Sequence, residues 1–154
     1  MADDYKVSTY DPGCITVNVG GHIVSGFADG TFVSVERDMD NFTKIVGAGG
    51  SIARARTRNI SGKVTLTLMQ TSESNSFLEA KMLADDLANE GEFVVTIMDD
   101  KYDGICTADA AWVLKPPTLS YGREFEDREW VIDCGRIIFA NSFGQAPKPE
   151  ADSE

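Results

Sequence analysis

The chain has 154 residues, with 25 Asp and Glu against 14 Lys and Arg, so it carries −11 with its single histidine neutral. That length suits one domain with a buried core, and 42% hydrophobic against 25% charged residues is too apolar for a disordered chain. No run approaches the ~20 apolar residues of a membrane helix, MADDYKVSTYDPG holds no signal-peptide core, and so acidic a chain is a poor sequence-independent binder of nucleic acid.

Residues 14–19 (CITVNV) alternate in hydropathy and run into Gly20-Gly21, a turn signal. Ala28-Asp29-Gly30 turns the chain again, and Thr31 to Arg37 (TFVSVER) is the next strand. Lys63 to Met69 (KVTLTLM) has the clearest period of two, with Val64, Leu66 and Leu68 on one side and Thr65, Thr67 and Met69 on the other. Ser76-Phe77-Leu78-Glu79 reads as a capping box. Behind it, Phe77, Ala80, Leu83, Ala84 and Leu87 recur at helical spacing, and Gly91 is placed to end the helix as its C′ residue. Glu92 to Met98, a polar connection Asp99–Gly104, Ile105 to Leu114 and Glu129 to Ala140 complete the strands. The fold class is mainly β (α+β): an antiparallel β-sandwich or partial barrel with one flanking helix and a long projecting hairpin. Residues 1–143 form the single domain. Residues 144–154 (GQAPKPEADSE), with two prolines, three acids and no large apolar side chain, read as a disordered acidic tail.

Residues 38–60 (DMDNFTKIVGAGGSIARARTRNI) are too long for a simple hairpin loop and too apolar for a floppy one. Gly47-Ala48-Gly49-Gly50 marks the tip of a second hairpin projecting from the first. On its return limb Arg54, Arg56 and Arg58 recur at period two, so all three leave one face, with Ala53, Ala55 and Thr57 on the other. A turn centred on Gly49 sets Asp40 against Arg58 as an ion pair, Phe42 against Arg56 as a cation–π contact, and Lys44 against Arg54 as like charges. The segment carries +2, leaving −13 on the other 131 residues. A basic arm on an acidic body can find its complement on a second copy, and such a head-to-tail contact builds rings or filaments. The bland alternative is a solvated hairpin, since exposed ion pairs contribute only ~0–1 kcal/mol each.

Other candidates weigh less. Cys14, Cys106 and Cys134 are odd in number and set among small apolar residues, which fits free buried thiols. His22 stands alone in GGHIVSG, and no GxSxG-like context supports a nucleophile relayed through it. Asp99–Gly104 resembles the start of a calcium loop, but Ala110 stands where the bidentate Glu is required. Glu124, Glu126, Asp127 and Glu129 form an acidic run interspersed with Arg123 and Arg128, read as a self-neutralised strand edge. Gly47-Ala48-Gly49-Gly50 is no GxGxxG. No catalytic residues, metal site or cofactor are assigned.

The order and spacing of several segments resemble the tail tube proteins of contractile-tailed bacteriophages. They are Asp29-Gly30 through Glu36, Phe42-Thr43, Val46-Gly47, Ser61 through Leu68 (SGKVTLTL) and Gln70-Thr71-Ser72. The Ser74-Asn75 helix opening, Lys115-Pro116-Pro117 and Arg128-Glu129-Trp130 follow in the same way, and the resemblance spans about residues 12–143. It implies a β-sandwich or partial barrel with one helix. Six copies would form a ring whose sheets join into an inner barrel, and rings would stack into a tube inside a contractile sheath, with tape-measure and baseplate proteins as further partners. DNA would pass down the lumen without specific binding, and the protein would reside in the virion tail after synthesis in the bacterial host's cytoplasm. Residues 38–60 map onto the loop that reaches a neighbouring subunit.

A bore that passes DNA should repel phosphate, so Glu36, Glu129 and Asp133, on outward faces of long strands, are the lumen candidates. Related tubes occur in tailocins and type VI-like secretion. From a different class, a monomeric lipocalin-like ligand-binding barrel would need an apolar internal cavity.

Overall fold

The computed structural model describes residue 7 and residues 9–144, so the expected acidic tail, Gly144 aside, lies outside the described residues. A short 3-10 turn, Pro12–Cys14, precedes β1 (Ile15–Val19), β2 (His22–Ile23), β3 (Val33–Arg37), β4 (Phe42–Val46), β5 (Ile52–Arg56) and β6 (Gly62–Leu68). The helix α1 (Ser74–Ala88) then leads to β7 (Phe93–Asp99), β8 (Gly104–Lys115) and β9 (Arg128–Ala140). Seven strands form one antiparallel sheet in the order β2-β1-β7-β8-β9-β6-β3, and β4 with β5 forms a separate ribbon. The sheet curls: β3 from one edge and Ile15 and Ile97 from the other side line one open cleft of about 430 Å³ over Phe139. This is a partial barrel. Its strand order is not the sequential one of an up-and-down barrel, so the lipocalin-like topology is not present.

The alternation in the sequence sets the inner face. Val17 and Val19 of β1, Val64, Leu66 and Leu68 of β6, Val95 of β7 and Ile132 of β9 are wholly buried. Each contributes about 1.5–3 kcal/mol relative to exposure. The alternation fails at one rung. β8 and β9 hold a single register from Ala108↔Ile137 through Asp109↔Arg136 to Ala111↔Cys134. Yet Asp109 and Ala110 both turn away from the core, as do Gly135 and Arg136 opposite them. Ala110 takes φ 50°, and a Cβ on Gly135 would already lie 3.4 Å from that of Ala110. Both strands reverse their faces together, which bends the sheet without a slip. An Arg136–Asp109 ion pair at 2.5 Å straps the outside of the bend.

The helix departs from expectation at both ends and in its roll. It opens at Ser74, so Ser76 lies inside it, and Glu73 at the N-cap makes no side-chain cap hydrogen bond. The work of the capping box falls to Ser72, whose Oγ accepts the Ser74 N–H at 3.2 Å. At the other end Asn89, φ 55°, takes the left-handed position expected of Gly91. Gly91 is needed for a different reason: a Cβ there would sit 2.3 Å from the Lys81 carbonyl oxygen. Polar anchors in the first turn fix the roll. Trp130 Nε1 donates to Asn75 Oδ1 at 2.9 Å, and Ser74 Oγ meets His22 Nε2 at 3.0 Å. Ser74 and Leu78 are therefore buried and Met82 packs against the core, whereas Leu83 is exposed and Leu87 86% exposed.

Cys106 and Cys134 are buried, Cys14 is half-buried, and all three are free. Burial, with Asp133 adding to it, pushes the Cys134 thiol up to about 12, and burial raises Cys106 as well. Only a thiolate reacts readily. Desolvation and the Asp11 carboxylate raise the Cys14 thiol too, but of the three only Cys14 is not buried. Treated with a disulfide reagent at pH 8, the native protein is therefore expected to be modified, slowly, at Cys14 alone, with all three thiols reacting in denaturant. Peptide mass spectrometry checks this, and rapid native labelling of Cys134 contradicts the packing.

Candidate subunit interface

The segment between β3 and β6 forms the arm that its sequence describes. β4 and β5 pair antiparallel, setting Phe42↔Arg56, Lys44↔Arg54 and Val46↔Ile52 on one face and Thr43↔Ala55 and Ile45↔Ala53 on the other. The tip closes through the Gly47 N–H, which donates to Ser51 O at 2.7 Å, and Gly50 takes φ 86°, which its lack of a Cβ permits. Every residue of β5 is exposed, and in β4 only Phe42 is partly covered. The cover is cationic: the Arg54 and Arg56 guanidinium carbons lie 4.1 and 4.7 Å from its ring centroid. Arg54 leans diagonally onto Phe42, which moves its charge away from Lys44 opposite. Ile45, Val46 and Ile52 leave an exposed apolar tip.

The expected Asp40–Arg58 ion pair is absent: among the described residues the ion pairs are Lys63–Asp38 and Arg136–Asp109. The ladder ends at Phe42↔Arg56, and the two limbs part below it. Asn41 O still accepts the Thr57 N–H at 2.8 Å, but Asp38 is drawn to β6, its N–H donating to Ser61 O at 3.0 Å and its carboxylate accepting Lys63 Nζ at 3.1 Å. Asp40 and Arg58 are left exposed on the arm's base.

Glu36, Asp133 and Glu129 share the sheet face opposite the core. Glu36 pairs with Lys63, and Lys63 with Asp133, across three adjacent strands, while Glu129 stands opposite Thr67. Lys63, which the sequence reading did not single out, lies between two of the acids. The hydrogen-bonded Asp38 carboxylate raises its pKa first, and the charges of Asp133 and Glu36 add to that. The acidic face therefore carries a built-in counter-ion.

The 124–129 run is not self-neutralised. Arg128 is only 7% exposed, and its guanidinium donates to Ser120 O at 3.0 Å and Glu126 O at 3.5 Å, carbonyls rather than carboxylates. Glu126 accepts from Ser120 Oγ, while Arg123, Glu124 and Asp127 are exposed. Within the same connection Leu119, Tyr121 and Phe125 are each about three-quarters exposed. Only hydropathy in a loop, with no periodicity to give it direction, hinted at this surface.

His22 is structural. Its ring stacks on Phe77 at 4.5 Å, and its Nε2 shares a 3.0 Å hydrogen bond with the buried Ser74 hydroxyl, which also accepts the Ser25 N–H at 3.1 Å. Asp99–Gly104 forms the expected hairpin turn, with Asp103 at φ 60°. Among the described residues no group of three or more His, Cys, Asp or Glu side chains is placed to hold a metal ion.

Residues 11–140 match the family described as bacteriophage PhiTE tail tube protein. Structural protein ORF10 of Pseudomonas phage KPP10 is 29% identical over 152 residues, covering 94% of this chain and 88% of that protein. Among solved structures, the tube-terminating cap of the anti-feeding prophage matches with a TM-score of 0.63 at 14% identity, over 90% of this chain and 95% of that one. A chain from the sheath-tube complex of an extracellular contractile injection system, PVC, in the extended state matches with a TM-score of 0.57 at 15% identity, over 90% and 93%. At such identities these two likenesses speak for the fold alone.

Proposed function

Because the chain belongs to the bacteriophage PhiTE tail tube family, whose members are structural proteins of the virion tail and not enzymes, we propose that it works only as a polymer. Six copies form a ring, rings stack into a tube, and the tube is the conduit for DNA during ejection. The observation that carries this reading is the arm: a cationic ribbon, exposed along its length, on a body of −13. Asp40, Phe42, Lys44, Arg54, Arg56 and Arg58 make the contact with a neighbouring subunit.

The sheet supports the same reading. Its two edges, β3 and β2, keep unpaired N–H and C=O groups that ring closure would use. Glu36, Glu129 and Asp133 on its outer face then line the bore and discourage phosphate from sticking. A sheath, a tape-measure protein and a baseplate are the partners expected of such a tube, and the PVC chain of like fold comes from a sheath-tube complex. A tube of a tailocin or secretion-type injection machine is the second reading, carried over from these chains of like fold, which come from an anti-feeding prophage and an extracellular contractile injection system. The phage relative weighs toward the virion.

Cryo-electron microscopy of the purified full chain tests the proposal. Sixfold rings stacked in a cylinder, with Glu129 and Asp133 toward the axis, are expected. Dispersed monomers at every concentration overturn it, and a cylinder with those acids turned outward overturns the lumen assignment.

A further inference from the structure

The arm leaves the sheet where β3 ends and β6 begins, with Arg37 paired to Gly62. The connection between β8 and β9, residues 116–127, lies at the other end of β6, where Leu68 pairs with Arg128. Seven strand residues separate the two, roughly 20 Å along the strand. The two protrusions are opposite in character as well as in place. The arm carries +2, whereas residues 116–127 hold Arg123 against Glu124, Glu126 and Asp127, a net −2. Each offers apolar surface beside its charge: Ile45, Val46 and Ile52 at the arm's tip, and Leu119, Tyr121 and Phe125 on the connection. So much exposed apolar surface on one short loop is a mark of an interaction site.

Resting on the proposed arm function, we infer that the β8–β9 connection is the surface that receives the arm of a second copy of this chain. Position and charge choose that occupant. Copies related by translation along the strands bring the basic end of one to the acidic end of the next. The contact is head-to-tail and leaves a free arm and a free receiving loop at the two ends of any stack, so it propagates without limit. The apolar side chains supply the burial, and the charges set polarity by opposing arm-to-arm and loop-to-loop pairing.

A charge-reversal cycle tests this on the full chain. Arg54→Glu with Arg56→Glu reverses the arm, and Glu124→Arg with Asp127→Arg reverses the loop. Glu124 and Asp127 are exposed, so the fold should survive, which circular dichroism checks. Each reversal alone is expected to reduce pelleted polymer about tenfold or more, and the two combined to restore most of it. As a second readout, chains with Ile52→Cys mixed with chains with Phe125→Cys should form a disulfide-linked pair on mild oxidation. A loop reversal that polymerises like the parent, a combination that stays dispersed, or no linked pair overturns the receiving loop. If the arm reversal itself polymerises normally, the arm function fails instead.

Discussion

Replacing Arg54, Arg56 and Arg58 together by glutamate is expected to leave a folded subunit that makes no long tubes. None of the three reaches the core: β5 is exposed throughout, and Arg58 lies beyond it on the arm's base. The local loss is two cation–π contacts on Phe42, about 0.5–1 kcal/mol each at an exposed site. That loosens the ribbon and spares the barrel. The electrostatic change is larger, because the arm passes from +2 to −4 on a body of −13. Like charge at close quarters between copies opposes every contact of the original geometry. Thermal unfolding of the variant should match the parent within a few degrees, while negative-stain micrographs lose their cylinders. Parental tube lengths in that variant would remove the arm from the assembly.

Gly62→Ala is expected to act on the fold itself. Gly62 opens β6 with β3 on one side and β9 on the other, paired to Arg37 and Cys134. A Cβ there would lie 2.2 Å from the Glu36 carbonyl oxygen, 2.6 Å from Ile137 Cδ1 and 2.9 Å from Arg37 Cα. Two of those three atoms are backbone, so no rotamer change relieves the clash. The strands must separate, at a cost of about 3 kcal/mol or more, which is a fall of roughly 10 °C in Tm for a chain of this size. Gly49→Ala is the control, since a Cβ there meets nothing within 4 Å. A Gly62→Ala protein melting within about 2 °C of the parent would contradict this packing.

How far the sequence could be read depended on what kind of information each element carries. Strands with one dry face announce themselves by period two, and Val64, Leu66 and Leu68 lie where that pattern puts them. The register of the arm followed from its glycine tip, because pairing in a hairpin is set by the turn. What escaped was tertiary. The roll of α1 depends on Ser74 meeting His22 and Asn75 meeting Trp130, partners about fifty residues away, so the stripe through Leu83 and Leu87 looked like the core side. The joint reversal at Ala110 and Gly135 is visible only once β8 and β9 are paired. Lys63 reads as one more polar residue in a strand until Glu36, Asp38 and Asp133 gather around it.

The clasp of two guanidinium groups on Phe42 bears on how quickly such a polymer grows. A two-stranded ribbon alone in water is marginal, and an arm that had to order itself at each encounter would forfeit part of every contact to lost conformational freedom. Holding Arg54 and Arg56 against one ring settles their rotamers beforehand. In the proposed stack, elongation would then be governed by how often two molecules meet in the right orientation; because each copy carries −11 overall, added salt screens their long-range repulsion and raises that frequency.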